Sequence, residues 1–141
     1  MKRSWFLSAF VALSALVAFG LAQTTAQSLT TAPPPGEYRK VSSLVKLPDF
    51  LPGMGTLYVV PSTLPAGPFL AYDREGKLVS SIYMVPLKDL QAHKKFEDLN
   101  VARERVDHVD MYYNAGHPGV AEPHYHVVLW YVPRDRQASL K

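Results

Sequence analysis

Apolar and polar residues alternate along two runs, 106–114 and 123–132, which are separated by a segment containing Gly116, Pro118, Gly119 and Pro123. A period of two marks a strand with one buried face, and Gly and Pro punctuate reversals, so the pattern predicts a hairpin with a long loop. A second hairpin is predicted from the strand-like runs 69–73 and 77–85, joined by Arg74, Glu75 and Gly76. Asp73 can bond its own backbone to start that turn, and Gly76 can take the left-handed position of a three-residue loop. Ser80 and Ser81 in the second of these strands imply that one of its faces is solvated. Residues 38–47 read as an edge strand and 56–60 as a short strand, with the Pro- and Gly-dense stretch 48–55 as a tight connection. Pro86 suits the first turn of a short helix over about 87–95, with Leu87 and Leu90 on one side and Asp89 near its positive end. Phe96 and Leu99 are expected to plug the core, and Arg103, Glu104 and Arg105 to be solvated. The fold class that results is α+β: mainly antiparallel β-sheet built of hairpins, with one short helix, in a single small domain.

The N-terminus breaks this pattern. Lys2 and Arg3 precede an uncharged apolar run over 5–21, followed by small residues and then Gln23, the layout of a secretory signal peptide cleaved before Gln23. Residues 1–22 are therefore set apart as a signal peptide. Residues 23–36, with Pro33, Pro34 and Pro35, read as a disordered or extended arm, residues 37–133 as the α+β domain and 134–141 as a polar C-terminal tail. The expected location is secreted or periplasmic, with no membrane association after cleavage. The chain has no Cys, so neither a disulfide nor a lipid anchor on cysteine is available, and stability outside the cytoplasm must come from the core, self-association or a metal. Cleavage removes two basic residues and no acidic one, leaving 13 basic against 12 acidic residues and a net charge of +1. Lys and Arg are scattered rather than gathered into a stripe, which excludes a nucleic-acid surface.

The chemistry is concentrated in residues 106–132, which hold four of the five histidines. Alternation puts Val109, Met111 and Tyr113 on one face of the first strand and His108, Asp110 and Tyr112 on the other. In the second strand Tyr125, Val127, Leu129 and Tyr131 share one face, while His124, His126, Val128, Trp130 and Val132 share the opposite one. Only a register with an even sum of paired positions, such as Asp110 opposite His126, keeps the apolar sets together and the histidine-bearing sets together. The expectation is an apolar core face and a second face carrying His108, Asp110, His124 and His126. Imidazoles at i and i+2 of one strand stand about 6–7 Å apart at the backbone, so their tips can converge on one ion. Imidazole is a neutral ligand for zinc, copper, nickel or ferrous iron; His117 or Glu122 in the loop can complete the set, and Asp110 can act as a ligand or as an acceptor behind one. The same residues can instead bond to one another, to Tyr112 or to backbone, or line a subunit contact. His93 reads as a solvent-facing helix residue. No serine lies on a hydrolase elbow, and Gly53 and Gly55 precede a strand rather than a phosphate-binding helix.

The segments GHPGVAEPHYHVVLWYV and DHVDMYYN, together with PGMG, GPFLAYDREGKLV and MVPLKDL, resemble a family of small secreted bacterial proteins classed as a domain of unknown function. The resemblance spans most of residues 48–132. It places Asn114, Gly116, His117, Pro118, Pro123 and His124 on motif positions, with His126 as the second strand histidine. It also implies that relatives space the strand histidines more widely and can carry a histidine just after the GMG turn, where this chain has Leu57. A cupin-like site is not matched, because no acidic residue follows His126 before Asp135.

These readings point to an exported protein that binds a divalent transition metal, zinc or copper, or a small ligand at the histidine hairpin, and that forms a homo-oligomer. A metal-dependent enzyme using the same cluster, with Glu122 as base, is an alternative from a different class; the sequence shows no other acid–base machinery, which weighs against it. An oligomeric structural or envelope-stress protein without a metal is the third.

Overall fold

A computed structural model describes residues 28–141 of the chain. The signal-peptide reading of residues 1–22 and the start of the arm lie outside the described residues. The domain is a six-stranded antiparallel sheet in the order β1-β2-β3-β4-β6-β5, with β1 at Arg39–Lys40, β2 at Thr56–Val59, β3 at Phe69–Tyr72, β4 at Leu78–Pro86, β5 at His108–Asn114 and β6 at His124–Trp130. Two short helices, α1 at Leu87–Gln91 and α2 at Arg134–Ala138, complete it. This is the α+β, mostly antiparallel architecture that the period-two runs predict. Among the described residues, no helix is long and apolar enough to cross a membrane.

The β3–β4 hairpin closes as its sequence requires. The Asp73 carboxylate accepts the backbone N–H groups of Glu75 and Lys77, both at 2.9 Å, and Gly76 adopts φ +76°. Arg136 of α2 donates to the other Asp73 oxygen at 2.7 Å, tying the C-terminus to this turn.

Several local expectations are corrected. Ser80 and Ser81 are fully buried, because β4 lies inside the sheet and both its faces are covered. Ser81 accepts a hydrogen bond from the Tyr131 hydroxyl at 2.8 Å. The edge strand expected over 38–47 is reduced to Arg39–Lys40, since the chain turns immediately into a short 3₁₀ segment at Val41–Ser43. Helix α1 stops at Gln91 rather than near 95, and His93 follows with φ +56°. Leu99 stays exposed; Ala102 is the residue of that connection that is buried. The stretch read as a polar tail carries α2 and then Leu140, whose side chain joins the core and whose carbonyl accepts the Gly53 N–H at 2.6 Å.

The largest correction concerns which face of the last hairpin points inward. The register has an even sum, as expected: β5 and β6 pair with Asp110 opposite Val128 and Tyr112 opposite His126, so the like-natured sets do share faces. The direction is reversed. The histidine-bearing face, with Val128 and Trp130, packs into a core of Val59, Phe69, Ile82 and Met84, whereas Val109, Met111 and Tyr113 are 55%, 62% and 53% exposed. The reason lies outside the hairpin. Residues 41–54, Val120, Val132 and Leu140 cover the histidine face, while the described part of the arm, tied to the β3–β4 hairpin by Ala32 N–H to Gly76 O at 2.8 Å, covers the opposite face only over β2–β4.

Leu140 closes this core from the C-terminal end, so Leu140→Ala is expected to lower unfolding free energy by about 2–4 kcal/mol in urea titrations. Val101→Ser, at a position 56% exposed in the connection before β5, is expected to change it by less than about 0.5 kcal/mol.

Candidate metal centre

Strand β6 carries His124 and His126 on its buried face, and the loop over 115–123 brings the third imidazole to them. Asn114 starts that loop by accepting the Gly116 N–H on Oδ1 at 2.9 Å. Gly116, at φ +129°, lies so close to the Ala121 carbonyl that any side chain there would collide with it. His117 and Val120 then exchange two backbone hydrogen bonds of 2.9 Å across Pro118 and Gly119. Pro at the second and a left-handed Gly at the third position, φ +88° here, suit a type II turn. The tight turn rests on Val45 and directs His117 back over β6. The spacing of Asn114, Gly116, His117, Pro118 and Gly119 is thus the local chemistry needed to deliver one imidazole.

The three Nε2 atoms form a triangle with sides of 2.9 Å (His124–His126), 3.2 Å (His117–His124) and 3.4 Å (His117–His126). Each ring has its other nitrogen engaged on the outside. His124 Nδ1–H donates to the Glu122 carbonyl at 2.6 Å, and His117 Nδ1–H to the Pro118 carbonyl at 3.1 Å. A carbonyl only accepts, so both rings carry their proton on Nδ1 and turn a bare Nε2 lone pair inward. His126 Nδ1 meets the Tyr112 hydroxyl at 3.0 Å, an oxygen that can donate or accept. Ligand nitrogens about 2.0–2.1 Å from a zinc ion in tetrahedral array stand about 3.3–3.4 Å apart, which the larger sides of the triangle match. This set can hold a metal ion, with an acceptor behind each ligand of the kind that fixes imidazole orientation in metal sites.

Burial holds His126 well below the ordinary imidazole value, at about 4, with the neighbouring His124 and His117 adding to the effect. It is therefore neutral, and competent as a ligand, at pH 7. Burial raises the Tyr112 phenol, keeping it protonated beside His126.

Of the six residues read from the sequence as candidate ligands, the structure brings together His117, His124 and His126. It does not bring His108, Asp110 or Glu122 to them. His108 sits at the far end of β5, bonded to Asp107 at 2.7 Å and Gln137 at 3.0 Å and stacked on Trp130. Asp110 accepts from Trp130 Nε1 at 2.9 Å and Arg134 at 3.2 Å; pairing two residues away from the expected register puts Val128, not His126, across from it. The Glu122 carboxylate pairs with Lys88 at 2.6 Å on the surface, and only its backbone carbonyl serves the site. That arrangement leaves it without the role of base. Tyr112, which the sequence offers only as an alternative hydrogen-bond partner of the histidines, stands beside the cluster opposite His126, a pairing that the even-sum register admits.

A cavity of about 400 Å³ adjoins the triad. His117 and His126 form part of its wall together with Tyr112 and Asn114, and the remaining lining is apolar, including Leu57, Met54, Phe69, Ile82 and Met84. Leu57, the position where the family resemblance implies a histidine in some relatives, therefore faces the same space.

Fold and site together define a small single-domain antiparallel-sheet protein with three histidines gathered at the edge of an apolar cavity. A hypothetical protein from Thermus thermophilus has a crystal structure that matches this chain at 51% identity and a TM-score of 0.60, covering 67% of this chain and 86% of that one. The chain belongs to the same family as that protein. No family model matches it, nor does any curated protein.

The His126 shift has a consequence for metal-free protein. Because the folded value lies below the unfolded one, the unfolded chain binds more protons between them; the neutral ring's contribution to stability is complete above about pH 6.5 and is lost as pH falls toward about 4. Thermal melts of chelator-treated protein across pH 7 to 4 are expected to show this decline, and His126→Phe to flatten it.

Proposed function

We propose that this protein is an exported, self-associating binder of a divalent transition metal, zinc or copper, held by His117, His124 and His126. The observation that carries the metal reading is the convergence of three Nε2 atoms within 3.4 Å while each Nδ1 has a partner outside the triangle. Export is supported by the charge-then-apolar pattern of residues 1–22. Self-association is supported by Val109, Met111 and Tyr113, an exposed apolar row on β5, which is an edge strand of the sheet.

A metal-dependent enzyme remains the second reading, favoured by one observation: three protein ligands beside a cavity resemble the open coordination of catalytic zinc sites. The surface pairing of Glu122 with Lys88 removes its nearest acid–base candidate, so binding is the reading adopted.

Metal analysis of protein purified without chelator or affinity tag is expected to find one equivalent per chain. Zinc at about 100 times its dissociation constant should stabilise the fold by about 2.7 kcal/mol. His124→Ala with His126→Ala is expected to abolish both effects, and Tyr112→Phe to keep the stoichiometry while weakening affinity about tenfold. No bound metal and no zinc- or copper-dependent rise in melting temperature would sink the reading.

For self-association, light scattering is expected to report an oligomer for the wild type and a smaller species for Met111→Asp, which puts a charge in the middle of the apolar row. A wild type that scatters as a monomer at all concentrations contradicts it.

A further inference from the structure

We infer that the cavity beside the triad takes a medium-chain carboxylate, its alkyl chain in the apolar space and its anionic oxygen on the metal. This inference rests on the metal reading above and names the ligand class of the same site.

Charge supplies the first reason. Three neutral imidazoles leave a bound divalent ion with its full charge, and the nearby carboxylates are committed elsewhere: Asp110 to Trp130 and Arg134, Glu122 to Lys88. An uncompensated divalent charge in a low-dielectric interior favours an anionic oxygen as its further ligand. Access supplies the second. His124 is fully buried, whereas His117 and His126 are the two ligands that form cavity wall, so the cavity is where an additional ligand reaches the ion. Asn114 lines the same space; its Oδ1 is held by Gly116, which leaves its amide N–H groups to donate to a second carboxylate oxygen.

The remainder of the wall specifies the rest of the molecule. Leu57, Met54, Phe69, Ile82 and Met84 offer no polar partner, so whatever follows the anionic head must be hydrocarbon. Size bounds its length: a cavity of about 150 Å³ holds the six carbons of benzene, so 400 Å³ has room for a carboxylate head and a chain of about ten carbons. Leu44 and Leu64 are 43% and 46% exposed and also line the cavity, so it reaches the surface and a chain can enter.

The test is calorimetric titration of decanoate into zinc-loaded and metal-free full-length protein, with acetate and 1-decanol as comparison probes. Decanoate is expected to bind the zinc-loaded form about tenfold or more tighter than the metal-free form, and about tenfold or more tighter than either acetate or decanol binds the zinc-loaded form. Leu57→Trp, which narrows the cavity, and Leu44→Trp, at its exposed rim, are each expected to lower decanoate affinity about tenfold, read only in variants whose zinc content has been measured as full. If zinc binds stoichiometrically but decanoate affinity is the same with and without it, or decanol matches decanoate, the carboxylate proposal is overturned and the metal reading stands. If no zinc binds, both fall.

Discussion

Imidazole lone pairs brought within 2.9–3.4 Å of one another inside a protein repel unless a proton or a cation lies between them. In this molecule the outward hydrogen bonds sharpen that conflict. The carbonyls of Glu122 and Pro118 hold the protons of His124 and His117 on the outer nitrogens, so neither ring can relieve the contact by donating inward. Only His126, whose partner is the ambivalent Tyr112 hydroxyl, can place a proton in the triangle, and burial with its two neighbours keeps it from acquiring a second. A divalent ion satisfies all three lone pairs at once and lets every outer nitrogen donate.

The fold makes this arrangement hard to avoid. His124 and His126 lie on the same side of β6 as Val128 and Trp130, and β6 is held between β4 and β5. Turning the histidines outward would take Val128 and Trp130 out of the core, since a one-residue slip exchanges the faces of the entire strand. The turn through Pro118 and Gly119 seats against Val45 and presents His117 from the opposite side. Core burial and ligand placement are thus set by the same register. The apolar cavity follows from it too, because the segment over 41–54 that covers this face arches across it without filling it.

Much of the fold can be read in the chain because its signals are local. Asp73 and Gly76 specify their turn by hydrogen bonds and a left-handed φ within five residues, and the alternation of β5 and β6 decides which side chains share a face. Which face is inside is not a local property. It depends on where residues 41–54, the arm and Leu140 pack, and nothing in the two strands encodes that; Val109, Met111 and Tyr113 are apolar enough to read as core yet stand outside. Ser80 and Ser81 mislead for the same reason, being small polar residues in a strand covered on both sides. At the site, the HxH spacing and the loop histidine were legible, whereas the separation of His108 and Asp110 turned on a two-residue difference in register set by the loop closing Asn114 onto His124. Leu57 and the cavity come from segments far apart in sequence, and no periodicity joins them.

Whether three imidazoles meet on one cation is decided by anomalous diffraction at the zinc edge from crystals grown with one equivalent of zinc. A single peak is expected about 2.0–2.1 Å from Nε2 of His117, His124 and His126. A map with no peak among these three atoms, or with zinc only at His93 or His108, would contradict it.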